Sequence, residues 1–103
     1  MRVTAEQLKI IKTLVHQYFG DDAELWLFGS RVDDRKKGGD YDFFIETSVN
    51  DADTIIAGKI GLIAELQSTD PFADEKIDII VKRRFSAFEM PIYAVAKQEG
   101  VQL

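Results

Sequence analysis

The stretch that decides the fold is Gly39-Asp40-Tyr41-Asp42-Phe43-Phe44-Ile45, preceded by Leu25-Trp26-Leu27-Phe28-Gly29-Ser30-Arg31 and followed by Lys76-Ile77-Asp78-Ile79-Ile80-Val81. Side chains alternate between the two faces of a strand. Asp40, Asp42 and Phe44 therefore share one face of the central segment, and Tyr41, Phe43 and Ile45 share the other. In the third segment Asp78 and Ile80 face one way, and Ile77, Ile79 and Val81 the other. The wholly apolar sets are the expected core faces. If the two strands are neighbours, the aspartates gather on the opposite face.

Helical spacing flanks these strands. Leu8, Ile11, Leu14, Val15, Tyr18 and Phe19 recur with the helical period, predicting a helix over Thr4–Phe19. Thr4 and Gln7 have the form of a capping box, and Gly20 marks the stop. Residues 51–67 predict a second helix with Ile55, Ile56, Ile60, Ile63 and Leu66 as its buried set. Gly58 and Gly61 weaken it by roughly 1 kcal/mol each relative to alanine, and are read as permitting close packing against the sheet. Asp70-Pro71 ends that segment. A last helix is expected over Met90–Gln98. The order α-β-β-α-β-α predicts one α/β (α+β) domain over residues 1–103, a small mixed sheet with helices packed on one face.

Composition narrows the function. The chain has 103 residues, no cysteine and a formal net charge of −5. Disulfides and zinc-thiolate sites are excluded. The acidic balance disfavours general nucleic-acid binding, so any phosphate must be handled locally. No apolar run reaches the ~20 residues of a membrane span, no signal peptide is legible at the N-terminus, and the cytoplasm is the expected location.

Asp78 interrupts a β-branched apolar run, and an unpaired buried carboxylate is costly. Its face is therefore either open to water or occupied by something positive. Three gathered carboxylates repel one another unless a cation sits between them, and Mg²⁺ favours such oxygen ligands. Gly29-Ser30 directly follows a strand. Glycine there admits a phosphate close to the backbone, and free N–H groups with the Ser30 hydroxyl can bind its oxygens. Arg31, Arg35, Lys36 and Lys37 put four cations in the adjoining loop. Of these, Arg31 is the candidate phosphate contact, and Lys36 reads as solvated. Trp26 and Phe28 read as core, and His16 as a surface residue.

Leu27-Phe28-Gly29-Ser30-Arg31, followed by Gly39-Asp40-Tyr41-Asp42-Phe43-Phe44-Ile45, resembles the signature of the polymerase-beta-like nucleotidyltransferase superfamily. That pattern is Gly-Ser, a spacer, Asp-x-Asp, and a third carboxylate on a later strand, where Asp78 stands. The spacer here runs from Arg31 to Gly39, one residue short of the usual length of about ten. The shortness of the chain resembles the minimal nucleotidyltransferases, antitoxin-like partners of HEPN proteins. This resemblance implies that Asp40, Asp42 and Asp78 are catalytic and hold two Mg²⁺ ions, with Asp78 also helping to deprotonate the acceptor. It implies that Gly29 and Ser30 hold the phosphates of a nucleoside triphosphate, with ATP as the default donor. The implied reaction moves AMP onto a hydroxyl, a tyrosine of a HEPN-type toxin, with release of pyrophosphate. The competing readings are a non-catalytic antitoxin that binds by contact, and a transferase adding nucleotides to RNA ends, which the acidic charge disfavours.

No base- or acceptor-gripping domain is expected after the third aspartate, so a partner protein is expected to complete the site. Phe85, Phe88, Ile92, Tyr93 and Val95 of the tail are expected chiefly to cover the core face of the sheet, leaving some free for a homo- or hetero-oligomer.

Overall fold

The computed structural model describes all residues from Met1 to Leu103. Helix α1 spans Ala5–Phe19, and its capping box forms as the spacing predicts. Gln7 N donates to Thr4 Oγ1, and Thr4 N to Gln7 Oε1, both at 3.0 Å. Gln7 Nε2 also donates to Tyr41 Oη at 2.9 Å and to Pro71 O at 2.7 Å, so the cap pins the helix to the sheet. Gly20, at φ +99°, ends the helix in a conformation that disfavours a side chain.

Strand β1 (Glu24–Phe28) leads through a short 3₁₀ turn, Gly29–Val32, and a loop into β2 (Tyr41–Thr47). Helix α2 (Ala52–Gln67) crosses to β3 (Ile77–Arg83), which lies parallel to β2. Helix α3 (Pro91–Glu99) follows, and a two-residue strand β4 (Val101–Gln102) pairs with β1. The sheet order is β3-β2-β1-β4, with β1 antiparallel to both its neighbours. This is the small mixed α+β fold that the alternation predicts, with β4 as an additional edge. No helix is long and apolar enough to cross a membrane.

The principal core lies between α1, α2 and one sheet face. Ile11, Val15 and Phe19 of α1 and Leu62 and Leu66 of α2 meet Leu25, Leu27, Tyr41, Phe43, Ile45, Ile77 and Ile79. The strand faces are therefore those read from the alternation.

Three details differ from expectation. Ile56 and Ile60 are 57% and 66% exposed, because α2 turns Gly58, Leu62 and Leu66 inward instead. Gly58 and Gly61 admit the Phe19 and Tyr18 rings of α1, so they serve helix–helix rather than helix–sheet packing. The tail does not join the helix-bearing face. Tyr93 and Ala96 of α3 cover Trp26, Phe28 and Phe44 on the opposite face, while Phe85 and Phe88 stay exposed. The reason is that the principal core is already filled by α1 and α2, whereas those three aromatics need a cover.

Candidate active site

α3 covers only part of the second face. Along its border lie ion pairs: Lys97 Nζ to Glu46 Oε2 at 2.7 Å and Lys82 Nζ to Glu89 Oε1 at 3.3 Å. Beyond Phe44 and Ile80 the face opens, and there the aspartates stand.

The parallel register sets Asp42 directly beside Asp78. Like charges directly opposed on a sheet destabilise it. Burial, and then the negative charges of Asp78 and Asp40, push the Asp42 carboxyl above its usual range, and Lys76 opposes that shift. Asp40 lies one residue before β2 and pairs with Lys76 at 3.5 Å. No three carboxylate or imidazole groups converge on one point as a closed ligand set. Asp42 and Asp78 are the adjacent pair, and Asp40 flanks them through Lys76.

Gly29 joins this pair to the loop. Phe28 is opposite Asp42 in the antiparallel register, and Gly29 follows at φ +76°. A side chain there would be strained, and its Cβ would collide with the Asp42 carboxylate. Gly39, at φ +93°, likewise leaves room for Ser30 Oγ, with which a Cβ would collide. Asp42, Gly29, Ser30 and Gly39 thus form one contiguous group.

Arg31 meets that group only at the Gly39 backbone, and its guanidinium turns away from the carboxylates. Its guanidinium lies 4.1 Å from the centre of the Tyr41 ring. Its Nε donates to Gly39 O at 3.2 Å, and Nη2 pairs with Glu75 at 3.7 Å. Tyr41 faces the helix side of the sheet, so Arg31 braces the loop from behind the carboxylates. Arg35 pairs with Asp33, whose carboxyl is held below its usual range by hydrogen bonds from Arg35.

Two residues of the site escape sequence reading. Arg2 donates to Ser30 O at 2.9 Å, Asp33 O at 2.9 Å and Gly38 O at 2.7 Å, latching both ends of the loop. Its partners are backbone carbonyls far along the chain, which leave no local pattern. Lys76 did leave a signal: the register that aligns Asp42 with Asp78 also aligns Asp40 with Lys76.

The arrangement places negative charge, a glycine turn and a free hydroxyl on one open strip of sheet. Such a strip can hold a cation and the anionic oxygens that accompany it. The family model described as nucleotidyltransferase domain matches residues 7–98, nearly the whole chain and every residue of this strip. No curated protein matches the chain. With its four-stranded mixed sheet and a match of that extent, the chain belongs to the nucleotidyltransferase domain family, whose chemistry is transfer of a nucleoside monophosphate.

Proposed function

We propose that the chain transfers AMP from ATP onto a hydroxyl of a partner protein, a tyrosine of a HEPN-type helical toxin, and thereby acts as its antitoxin. The observation that carries the catalytic part is the Asp42–Asp78 pair, aligned beside the Gly29–Ser30 turn. An unmatched carboxylate pair on an open sheet face costs stability, and a site that binds cations gives that cost a use.

In this reading Asp42 and Asp78 hold Mg²⁺, with Asp40 joining them by releasing Lys76. Bound Mg²⁺ would neutralise the triphosphate and stabilise the entering and leaving oxygens at the α-phosphorus. Gly29 offers backbone, and Ser30 its hydroxyl, to the β- and γ-phosphates. Asp78 is exposed, and in this reading it takes up the proton of the attacking hydroxyl. The oxygen–phosphorus bond to the acceptor forms as the bond to pyrophosphate breaks. Arg31 and Arg2 hold the loop, and the partner supplies the acceptor. Positioning carries most of the rate.

The test is the intact mass of the partner, taken as the product of the adjacent gene, after co-expression and incubation with ATP and Mg²⁺. AMP-sized additions with wild type, absent with Asp40→Ala/Asp42→Ala, support transfer. A tight complex, no addition and unchanged neutralisation by the variant would instead make the chain an antitoxin that acts by contact alone.

A further inference from the structure

Arg31 follows Ser30 in the chain, yet its side chain reaches the roots of two strands. Its Nε donates to Gly39 O, one residue before Asp40. Its Nη2 pairs with Glu75, one residue before Lys76, which is the partner of Asp40. Between those contacts the guanidinium lies over the Tyr41 ring, and the side chain is only 13% exposed. A planar guanidinium can stack on a ring and still direct its N–H groups outward in its own plane, which an ammonium cannot do. Arg2 gathers the same loop by the carbonyls of Ser30, Asp33 and Gly38, whereas Arg31 ties it to the starts of β2 and β3.

Tyr41 is a fixed seat for that guanidinium. It is the residue between Asp40 and Asp42, and its buried ring lies on the helix side of the sheet. Phe72 meets the ring edge-on, with centres 5.3 Å apart, and Phe43 stacks at 6.3 Å. Its Oη accepts from Gln7 Nε2, and its backbone N donates to Lys76 O at 2.9 Å. The ring is thus held by α1, by the core and by β3. The loop that Arg31 draws onto it is exposed from Asp34 to Gly39.

We propose that Arg31 and Tyr41 are positioning residues for a bound triphosphate, acting through Gly39 on the Ser30 hydroxyl. Gly39 walls Ser30 Oγ, and a side chain at that position would overlap it. Arg31 holds Gly39 by its carbonyl, and the Tyr41 ring ties Arg31 to the strand that carries Asp42. The stack therefore sets the spacing between the hydroxyl that meets phosphate and the carboxylates that meet metal. Arg31 does this from behind the sheet, without touching the phosphates. The role rests on the reading of the open strip as a nucleotide site.

Calorimetric titration with a non-hydrolysable ATP analogue and Mg²⁺, and with Mg²⁺ alone, tests it without need of an acceptor. Arg31→Lys keeps the charge and loses the planar fork. It should weaken the triphosphate about tenfold and leave the affinity for Mg²⁺ alone unchanged, because the carboxylates keep their strands. In a Ser30→Ala background the same change should cost little more, since the group through which Arg31 acts is gone. Tyr41→Leu should copy Arg31→Lys, and Tyr41→Phe, which keeps the ring, should restore affinity. Circular dichroism checks that each variant is folded. Should Tyr41→Leu not fold, the cycle between Arg31 and Ser30 decides. An Arg31→Lys variant that binds the triphosphate as wild type does, or a loss that adds in full to that of Ser30→Ala, would overturn the positioning role. A wild type that binds no triphosphate would overturn the nucleotide reading itself, and this role with it.

Discussion

Asp42 and Asp78 stand side by side on adjacent parallel strands as the only like-charged pair in a row of opposite ones. Two residues before them Asp40 meets Lys76, and four residues after them Glu46 meets Lys82. The same offset between β2 and β3 generates all three pairs. A sheet under selection for stability alone would match the middle pair as it matches the outer two.

Removing one of these charges should therefore stabilise the fold while ending transfer. Because the folded state raises the Asp42 carboxyl, it binds that proton more tightly than the unfolded chain does. Asp42 thus costs no stability below the unfolded carboxylate range, and its cost grows as pH rises through the raised value. At neutral pH, Asp42→Asn is expected to raise Tm by a few degrees and to abolish nucleotide transfer. Mg²⁺ should raise the Tm of wild type but not of the variant, and chelation should reverse that rise. Calorimetry with and without Mg²⁺ checks each part.

Lys76 is the cation that holds the Asp42 carboxyl down. Lys76→Met should let it rise further. The acid limb of the pH–rate profile is then expected to move to higher pH, with little change on the alkaline side. A profile that falls in height without moving would assign Lys76 to substrate binding instead.

Gly29→Ala introduces a side chain at positive φ and drives it into Asp42. The expected cost is about 1–3 kcal/mol of folding stability together with loss of transfer. Ser30→Ala leaves the turn intact, since no hydrogen bond from Ser30 Oγ holds the loop. It should keep the wild-type melting temperature and raise KM for the triphosphate. Denaturant titration and steady-state kinetics separate the two.

Arg2→Ala releases three carbonyls of the loop at once. Charge-assisted hydrogen bonds in a half-buried setting predict a loss of about 1–3 kcal/mol, less if the loop re-solvates freely. Transfer should fall mainly through KM, because the carboxylates stay on their strands. Hydrogen exchange across residues 30–39 should speed up, with β2 and β3 unaffected.

Much of this molecule is legible in its alternation. Tyr41, Phe43 and Ile45 announce their face because each neighbour is polar or confined to the second cluster, and the aspartates follow by parity. The 3₁₀ turn at Gly29 and the capping box at Thr4 are local chemistry and need no tertiary information. What escaped depends on neighbours. The inward stripe of α2 could not be told from Ile56 and Ile60, because every face of that helix carries apolar residues and only contact with α1 chooses among them. α3 settles on the second face because the first is full, a fact about volume rather than pattern. Arg31 reads as a phosphate ligand by adjacency, yet the open face of the Tyr41 ring and the Gly39 carbonyl hold it from the other side. β4, two residues long, is too short to carry a period.

Both ends of the chain are stitched into the neighbourhood of the first strand. The backbone of Arg2 donates to Arg31 O at 2.7 Å, and that of Leu103 to Leu25 O at 2.8 Å. Neither end is then a neutral handle. A purification tag or surface tether at the amino end pulls on the latch that shapes the loop, and one at the carboxyl end competes with β4. Immobilised samples would report altered kinetics that belong to the attachment. A label at Lys12, exposed on the outer side of α1, leaves both seams closed.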